Sequence, residues 1–213
     1  MHFTSQTDYW NSVAKSKEFT TNLNYGLISP FIKQESNIVD YGCGYGRTLN
    51  EFHEKGFNNL TGFDYAAEMI SSGKKRFPFL NLKVCQDNKM GILSDSTDLV
   101  LLFAVLTCII DDEKQQELMD EIQRVLKPGG LIYLNDFLLN DDERNLNRYE
   151  IGFEKHGTYG VFELTEGAIL RHHDPLRMKE LTKNFIPVVD EKTIFKTMNG
   201  HTSKGIIFIG RKR

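Results

Sequence analysis

Apolar residues along this chain fall into blocks of two different periods, and the succession of those blocks predicts the fold. Within residues 9–32, Tyr9, Trp10, Val13, Phe19, Leu23, Leu27, Ile28 and Phe31 recur at roughly helical spacing, broken near Lys15-Ser16-Lys17, so one or two helices are expected before the first strand. Residues 38–41 form a short apolar run, and a helix is expected over 47–55 with Gly56 at its C-cap. A second strand over 60–64 leads into a helix from Ala66 to Arg76, stopped ahead of Pro78. A short strand at 82–85 is followed by residues 98–103, almost wholly apolar, as suits a parallel strand covered on both faces. Asp111 and Asp112 cap a helix with apolar positions Leu118, Met119, Ile122, Val125 and Leu126. Lys127-Pro128-Gly129-Gly130 reads as its stop and a turn, before a fifth strand over 131–136.

Five strands separated by helical stretches predict a doubly wound α/β sheet whose ligands bind outside the strands' carboxyl ends. The tail has another pattern. After a helical stretch at 175–184, residues 185–197 and 205–210 read as strands joined through Met198-Asn199-Gly200-His201, and Asn-Gly is a strong hairpin signal. An antiparallel pair is therefore expected at the end of the sheet. Residues 137–174 form an insertion rich in charge and aromatics, within which 161–164 and 168–172 predict a small hairpin about Thr165-Glu166-Gly167. No repeat, linker or low-complexity tract divides the chain. Residues 1–213 are read as one domain, with 1–36 a helical cap and 137–174 a substrate-side insertion.

Composition narrows the partners. A chain of 213 residues with 40% apolar and 26% charged residues, 15 Phe and 8 Tyr has ample material for a core and no signature of disorder. Its net charge of -3 argues against a nucleic-acid partner held by bulk electrostatics, so a small-molecule substrate is the starting expectation. The longest apolar run, 99–110, is interrupted by Thr107 and is too short for a bilayer, so no membrane partner is expected. Residues 1–8 carry neither a basic leader nor an apolar h-region. Cys43, Cys85 and Cys108 are widely spaced with no metal-ligand pairing, which suits a reduced, cytoplasmic protein.

The chemistry concentrates where the first strand ends, in Asp40-Tyr41-Gly42-Cys43-Gly44-Tyr45-Gly46-Arg47. Glycines at Gly42, Gly44 and Gly46 let the backbone turn sharply and approach a ligand without a Cβ in the way. Their Gly-x-Gly-x-Gly spacing departs from the Gly-x-Gly-x-x-Gly of nicotinamide-binding domains. Asp64 stands 24 positions after Asp40 (64 minus 40), near the interval of roughly 20 expected for an acidic partner of a ribose; capping the following helix is its alternative role. Cys43 is read as a small loop residue, since no base stands beside it in the motif.

The ordered set resembles the class I S-adenosylmethionine-dependent methyltransferases, in particular their type 11/25-like domains. The residues that carry the resemblance are Val39 to Gly46, Gly62-Phe63-Asp64 with Met69-Ile70, Asp87, Asp98-Leu99-Val100 through Leu106, and Leu126-Lys127-Pro128-Gly129-Gly130, with the terminal hairpin matching that family's last two strands. The resemblance implies a Rossmann-like seven-stranded sheet, S-adenosylmethionine as cofactor and S-adenosylhomocysteine as product. It implies that Asp40, Gly42, Cys43, Gly44 and Gly46 surround the amino-acid portion, with Arg47 meeting its carboxylate or else a neighbouring acid, and that Asp64, with Tyr65 beside it, meets the ribose. Asp87, with Asn88, is implied at the adenine, and Phe103 and Ala104 at the methionine end.

In such folds the acceptor pocket is built by what surrounds the cofactor platform, so the N-terminal helices and residues 137–174 are the expected sources. A hydroxyl or ammonium acceptor must lose a proton, for which a histidine or carboxylate at the pocket mouth is the natural base. Asp136, Tyr149, His156, Tyr159, His172 and His173 are the candidates; adjacent His172 and His173 point opposite ways on a strand, so one at most faces the pocket. A metal site from His156, His172, His173 and Asp174 fits no compact ligand spacing, and none is expected. Phe103-Ala104-Val105-Leu106 stands where many enzymes methylating planar nitrogens carry Asn/Asp-Pro-Pro-aromatic, which turns the expectation toward a small metabolite. A protein or RNA acceptor, or a non-catalytic S-adenosylmethionine-binding module, are the alternatives.

Overall fold

The computed structural model describes residues 6–14, 16 and 19–213. The break in helical spacing at Lys15 and Lys17 lies outside the described residues. Helix α1 (Gln6–Val13) and the single turn α2 (Tyr25–Ile28) precede β1 (Ile38–Tyr41), with 19–24 non-helical between them. Then follow α3 (Arg47–His53), β2 (Leu60–Asp64), α4 (Ala67–Arg76), β3 (Asn81–Val84), β4 (Thr97–Phe103), α5 (Asp112–Val125) and β5 (Leu126–Phe137). The rest comprises α6 (Glu143–His156), β6 (Val161–Glu163), β7 (Ile169–Arg171), α7 (Pro175–Thr182), β8 (Phe185–Lys196) and β9 (Thr202–Lys212). No helix among the described residues is long and apolar enough to cross a membrane.

The main sheet has seven strands in the order β3-β2-β1-β4-β5-β9-β8. Its first five strands are parallel, while β9 runs antiparallel to both β5 and β8. Alternation along β4 explains its apolar run: Leu99 and Leu101 pack in the layer of Leu49 and Phe52 from α3, and Val100 and Leu102 in the layer of Leu118 and Ile122 from α5. All four β4 side chains are fully buried, each contributing roughly 1.5–3 kcal/mol. Asp111 caps α5 by accepting from the Lys114 N–H (2.9 Å).

Two elements differ from the expectation. Lys127-Pro128-Gly129-Gly130 does not form a separate turn; β5 starts at Leu126, paired with Thr97, and a register shift between Thr97 and Leu99 absorbs the tetrapeptide. The second is α6, which has no counterpart among the expected elements. Only Asn145, Tyr149 and Gly152 of its residues are buried, so its apolar stripe is too thin to register as a helical period. Its ends nevertheless carry local signals, since Asp142 accepts from the Asn145 N–H (3.2 Å) and Gly157 closes it in the left-handed region (φ 69°).

Helix α6 rests on β6 through Gly152, where a Cβ would overlap the carbonyl oxygen of Val161. Backbone has no rotamer by which to yield. Replacing Gly152 by Ala should raise intrinsic helix stability by about 1 kcal/mol, but the overlap should cost about 1–3 kcal/mol. Calorimetry of Gly152→Ala should therefore show a lower melting temperature, with faster amide exchange in 143–156. A raised melting temperature would mean that α6 is not docked on β6.

Candidate active site

The chain leaves β1 toward β2 on one side and pairs β1 with β4 on the other, which opens a crevice at the carboxyl ends of these strands. Here Gly42 (φ 74°) and Gly44 (φ 55°) adopt left-handed backbone, with their α-carbons against Val105 and the Phe19 ring. Both the Gly42 and Cys43 N–H groups donate to the Phe63 carbonyl (2.7 and 3.0 Å). Asp64 completes the tie. One carboxylate oxygen accepts from the Gly44 N–H and the other from the Ala66 N–H, each at 2.8 Å.

Asp40 is buried and accepts no hydrogen bond from the described residues. Burial pushes its pKa up from the ordinary 3.8 to about 8; Arg47 opposes that rise, and Asp64 adds to it. Arg47 is itself committed to Glu51 (2.6 Å) and to the Thr21 carbonyl, which pins the N-terminal segment onto the glycine loop. Burial likewise raises the Asp64 pKa, against its two N–H bonds. The Cys43 thiol is pushed up by burial and by Asp64 and Asp40, which suits a packing role rather than that of a thiolate.

A cavity of about 1360 Å³, counted with its open mouth, extends from this loop across the sheet edge. Asp40, Gly42, Cys43, Arg47, Asp64 and Tyr65 line it, as do Phe103 and Ala104 at the end of β4. Trp10 both packs and lines the wall, edge-on to Tyr9 with ring centroids 5.1 Å apart. Gly44 and Gly46 shape the loop from behind. Asp87 and Asn88 are not brought to the cavity: both occupy a left-handed turn (φ 53° and 57°). Asp87 is exposed there, and Asn88 accepts from the Tyr41 hydroxyl (3.1 Å) and donates to the Lys114 carbonyl (3.2 Å).

Of the acceptor-side candidates, only His172 lines the cavity. Asp136 is wholly buried, accepting from the Thr107 N–H (3.2 Å) and Phe137 N–H (2.8 Å), with burial raising its pKa to about 7. His173 turns to Gln115 (2.8 Å), its pKa lowered by burial to about 3. Tyr159 lies edge-on against Tyr149 outside the cavity, and His156 pairs with Glu163 (3.0 Å). Among the described residues no group of three His, Cys, Asp or Glu side chains converges as metal ligands.

His172 is held in a polar network. Asn140 Oδ1 accepts from the Lys204 N–H (2.8 Å), while its Nδ2 donates to the Leu138 carbonyl and the Ser203 hydroxyl (2.9 Å each) and lies 3.2 Å from His172 Nδ1. The Tyr149 hydroxyl accepts from the Asn140 N–H (3.2 Å) and lies 2.6 Å from His172 Nδ1 and 3.4 Å from Asn145 Oδ1. Burial holds the imidazole pKa well below its ordinary value, so the ring is neutral.

Sequence reasoning missed Arg144 and Arg148, which enter the same wall from α6, and Thr197 to His201 from the β8–β9 turn. An arginine pair at i and i+4 is the signal that an expected helix would have exposed.

Residues 39–134 match a family model described as a methyltransferase domain. Just under half of the chain is thus similar to a methyltransferase domain. Among curated proteins, the chain is 30% identical over 112 residues to a tRNA N(3)-cytidine methyltransferase of Mus musculus, covering 47% of the chain and 28% of that protein. It is 24% identical to EEF1A lysine methyltransferase 4 of Bos taurus (63% and 59% covered). It is 28% identical to a carboxy-S-adenosyl-L-methionine synthase of Colwellia psychrerythraea (54% and 50%). The chain spans less than a third of the mouse relative and between half and two thirds of the other two. A S-adenosylmethionine-dependent methyltransferase of Methanosarcina mazei has the same fold, with a TM-score of 0.83 at 24% identity, covering 88% of this chain and 97% of that one.

Buried acids give the ligand-free protein a pH dependence of definite sign. With the Asp40 pKa at about 8, the folded chain holds a proton that the unfolded chain releases near pH 4. Stability therefore falls as pH rises between these values. Asp136 contributes in the same direction up to about pH 7. Urea unfolding at intervals from pH 5 to 8 should show this decline, shallower in Asp40→Asn; an unaltered slope in that variant would show that Asp40 does not titrate in this range.

Proposed function

We propose that this protein transfers a methyl group from S-adenosylmethionine to a small-molecule acceptor, with residues 137–174 and the β8–β9 turn forming the acceptor side. The reading rests on one observation. The cavity does not end at the glycine loop but continues to a wall made by Arg148, Phe162, His172 and His201, leaving room beyond a cofactor seated at Asp40 and Asp64.

The residues present fit that cofactor. Asp40 is a buried acid lacking a hydrogen-bond partner, and a cationic sulfonium or ammonium would stabilise its ionised form. Each Asp64 oxygen takes one N–H and has a lone pair to spare for a ribose hydroxyl. When bound, the cofactor supplies a methyl carbon on a positively charged sulfur, open to in-line displacement. The chain's part is to orient and to exclude water. Positioning of this kind supplies up to about 7–11 kcal/mol, and no covalent enzyme group is needed. Phe103, Met69 and Trp10 make the walls apolar, while His172 brings a neutral imidazole to the acceptor side.

A macromolecular acceptor is the second reading, favoured by the relatives that act on tRNA and on a protein lysine and by Ile151 and Phe153, exposed on α6.

Thermal unfolding with S-adenosylmethionine, S-adenosylhomocysteine and a nicotinamide dinucleotide tests the cofactor. At 100 times its dissociation constant a ligand adds about 2.7 kcal/mol, or about 5–10 °C for a chain of this size. A rise with the first two alone is expected; a rise with the dinucleotide alone would overturn the reading. In Asp64→Ala, S-adenosylhomocysteine should bind at least about tenfold more weakly, since a hydrogen bond to a charged group contributes about 1.5–3 kcal/mol. Unchanged affinity there would remove Asp64 from the ribose.

A further inference from the structure

The charges that line the cavity are unevenly placed. Asp40 and Asp64 are its acids, both at the glycine loop, where the one lining cation, Arg47, is paired with Glu51; Arg144, Arg148, His172 and His201 line the far end with no carboxylate among them. Arg144 and Arg148 lie one turn apart on α6, a spacing at which like charges repel. Arg144 has only a long contact to Asp142 (3.8 Å), whose carboxylate also caps the helix through Asn145.

Arg148 has less still. It forms no ion pair among the described residues, and its buried Nε has no hydrogen-bond partner. Burial above all, and then the Arg144 charge, disfavour its charged form; the neighbouring Tyr149 hydroxyl and, more weakly, Asp142 offset them. The guanidinium nevertheless stays in place because it stacks on Phe162, 3.4 Å from the ring centroid. Phe162 in turn lies edge-on to His172 (4.8 Å), whose Nδ1 is occupied by Tyr149. The far wall therefore presents a planar fork that meets Tyr149 but no carboxylate, beside a neutral imidazole whose Nε2 makes no bond to the described protein. Leaving a half-buried cation unpaired is costly, and a planar fork matches the oxyanions of a carboxylate or phosphate.

Resting on the methyl-transfer reading above, we propose that the acceptor is a small anion whose carboxylate or phosphate group is received by Arg148 and Arg144, with the neutral His172 ring beside them. The acidic end then takes the cationic cofactor and the basic end the anionic acceptor, so the electrostatics of the cavity sets the order of the two along it. A small molecule is favoured over a nucleic-acid phosphate because the fork lies flat on Phe162, which is itself buried, behind the more exposed Arg144.

The test is a melting series with benzoate, phenylphosphate and neutral benzamide, each against sodium chloride of equal ionic strength, with and without saturating S-adenosylhomocysteine. With the product bound, benzoate or phenylphosphate at ten times its dissociation constant should raise the melting temperature by about 3–6 °C, and benzamide should not. Which anion acts distinguishes a carboxylate acceptor from a phosphate one. The response should vanish in Arg148→Met, which keeps a stem on Phe162 and should keep the response to S-adenosylhomocysteine, and it should shrink in the more exposed Arg144→Met.

An equal response to benzamide, a response no larger than that to salt, or one unchanged in Arg148→Met overturns the proposal. So does loss of S-adenosylhomocysteine binding in Arg148→Met, which would assign that arginine to the cofactor's own carboxylate. Stabilisation by a single-stranded oligoribonucleotide but by neither small anion would replace the proposal with an RNA acceptor. A wild-type chain that ignores S-adenosylhomocysteine but answers the anions would overturn the cofactor reading alone.

Discussion

Two carboxylates, Asp40 and Asp64, are buried at the ends of adjacent strands, and much of the site follows from how each is tolerated. Asp64 is satisfied by backbone, taking the Gly44 and Ala66 N–H groups and so tying the glycine loop to the second strand and the start of α4. Asp40 has no such partner, and burial beside a second acid keeps its proton on up to about pH 8. Buried carboxyl groups that are neither bonded nor paired are costly. Here that cost is carried at the one place where the sheet's strand order opens a crevice. The left-handed glycines beside it leave the loop backbone without a Cβ on that side.

The opposite end of the cavity is assembled differently. Its wall comes from α6, the β6–β7 hairpin and the β8–β9 turn, which are remote from the glycine loop in sequence. These pieces are held by a few polar clamps: the Thr107 hydroxyl donates to the Arg171 carbonyl (2.7 Å), and Arg171 pairs with Asp112 (2.6 Å) at the start of α5. Asn140 then joins β9, Tyr149 and His172 into one network. Such a network holds the His172 ring in one orientation. The same clamps bring an unpaired arginine onto Phe162.

Legibility in the sequence followed the range of the interactions. The glycine loop, Asp64 at the end of the second strand, the buried fourth strand and the Asn-Gly hairpin were readable because each is specified by residues close in the chain. Asp136 and His173 were plausible from their position at the sheet's edge, yet both are sealed beneath it, bonded to Thr107, Phe137 and Gln115. Asn88 stood at the right place for a ligand contact but is spent bracing Tyr41 against the Lys114 carbonyl at the start of α5. The helix carrying Arg144 and Arg148 was missed because so little of it is buried.

By itself, then, the sequence determined the order of the main-sheet strands and of the helices between the parallel ones, the doubly wound sheet with its antiparallel end, and the strand-end cluster of Asp40, Gly42 and Asp64, since periodicity, turn chemistry and a short motif are local. Only the tertiary structure decided which of two neighbouring histidines meets the cavity and which arginines face it. Those outcomes depend on burial and on hydrogen bonds between residues tens of positions apart, and no local pattern encodes them.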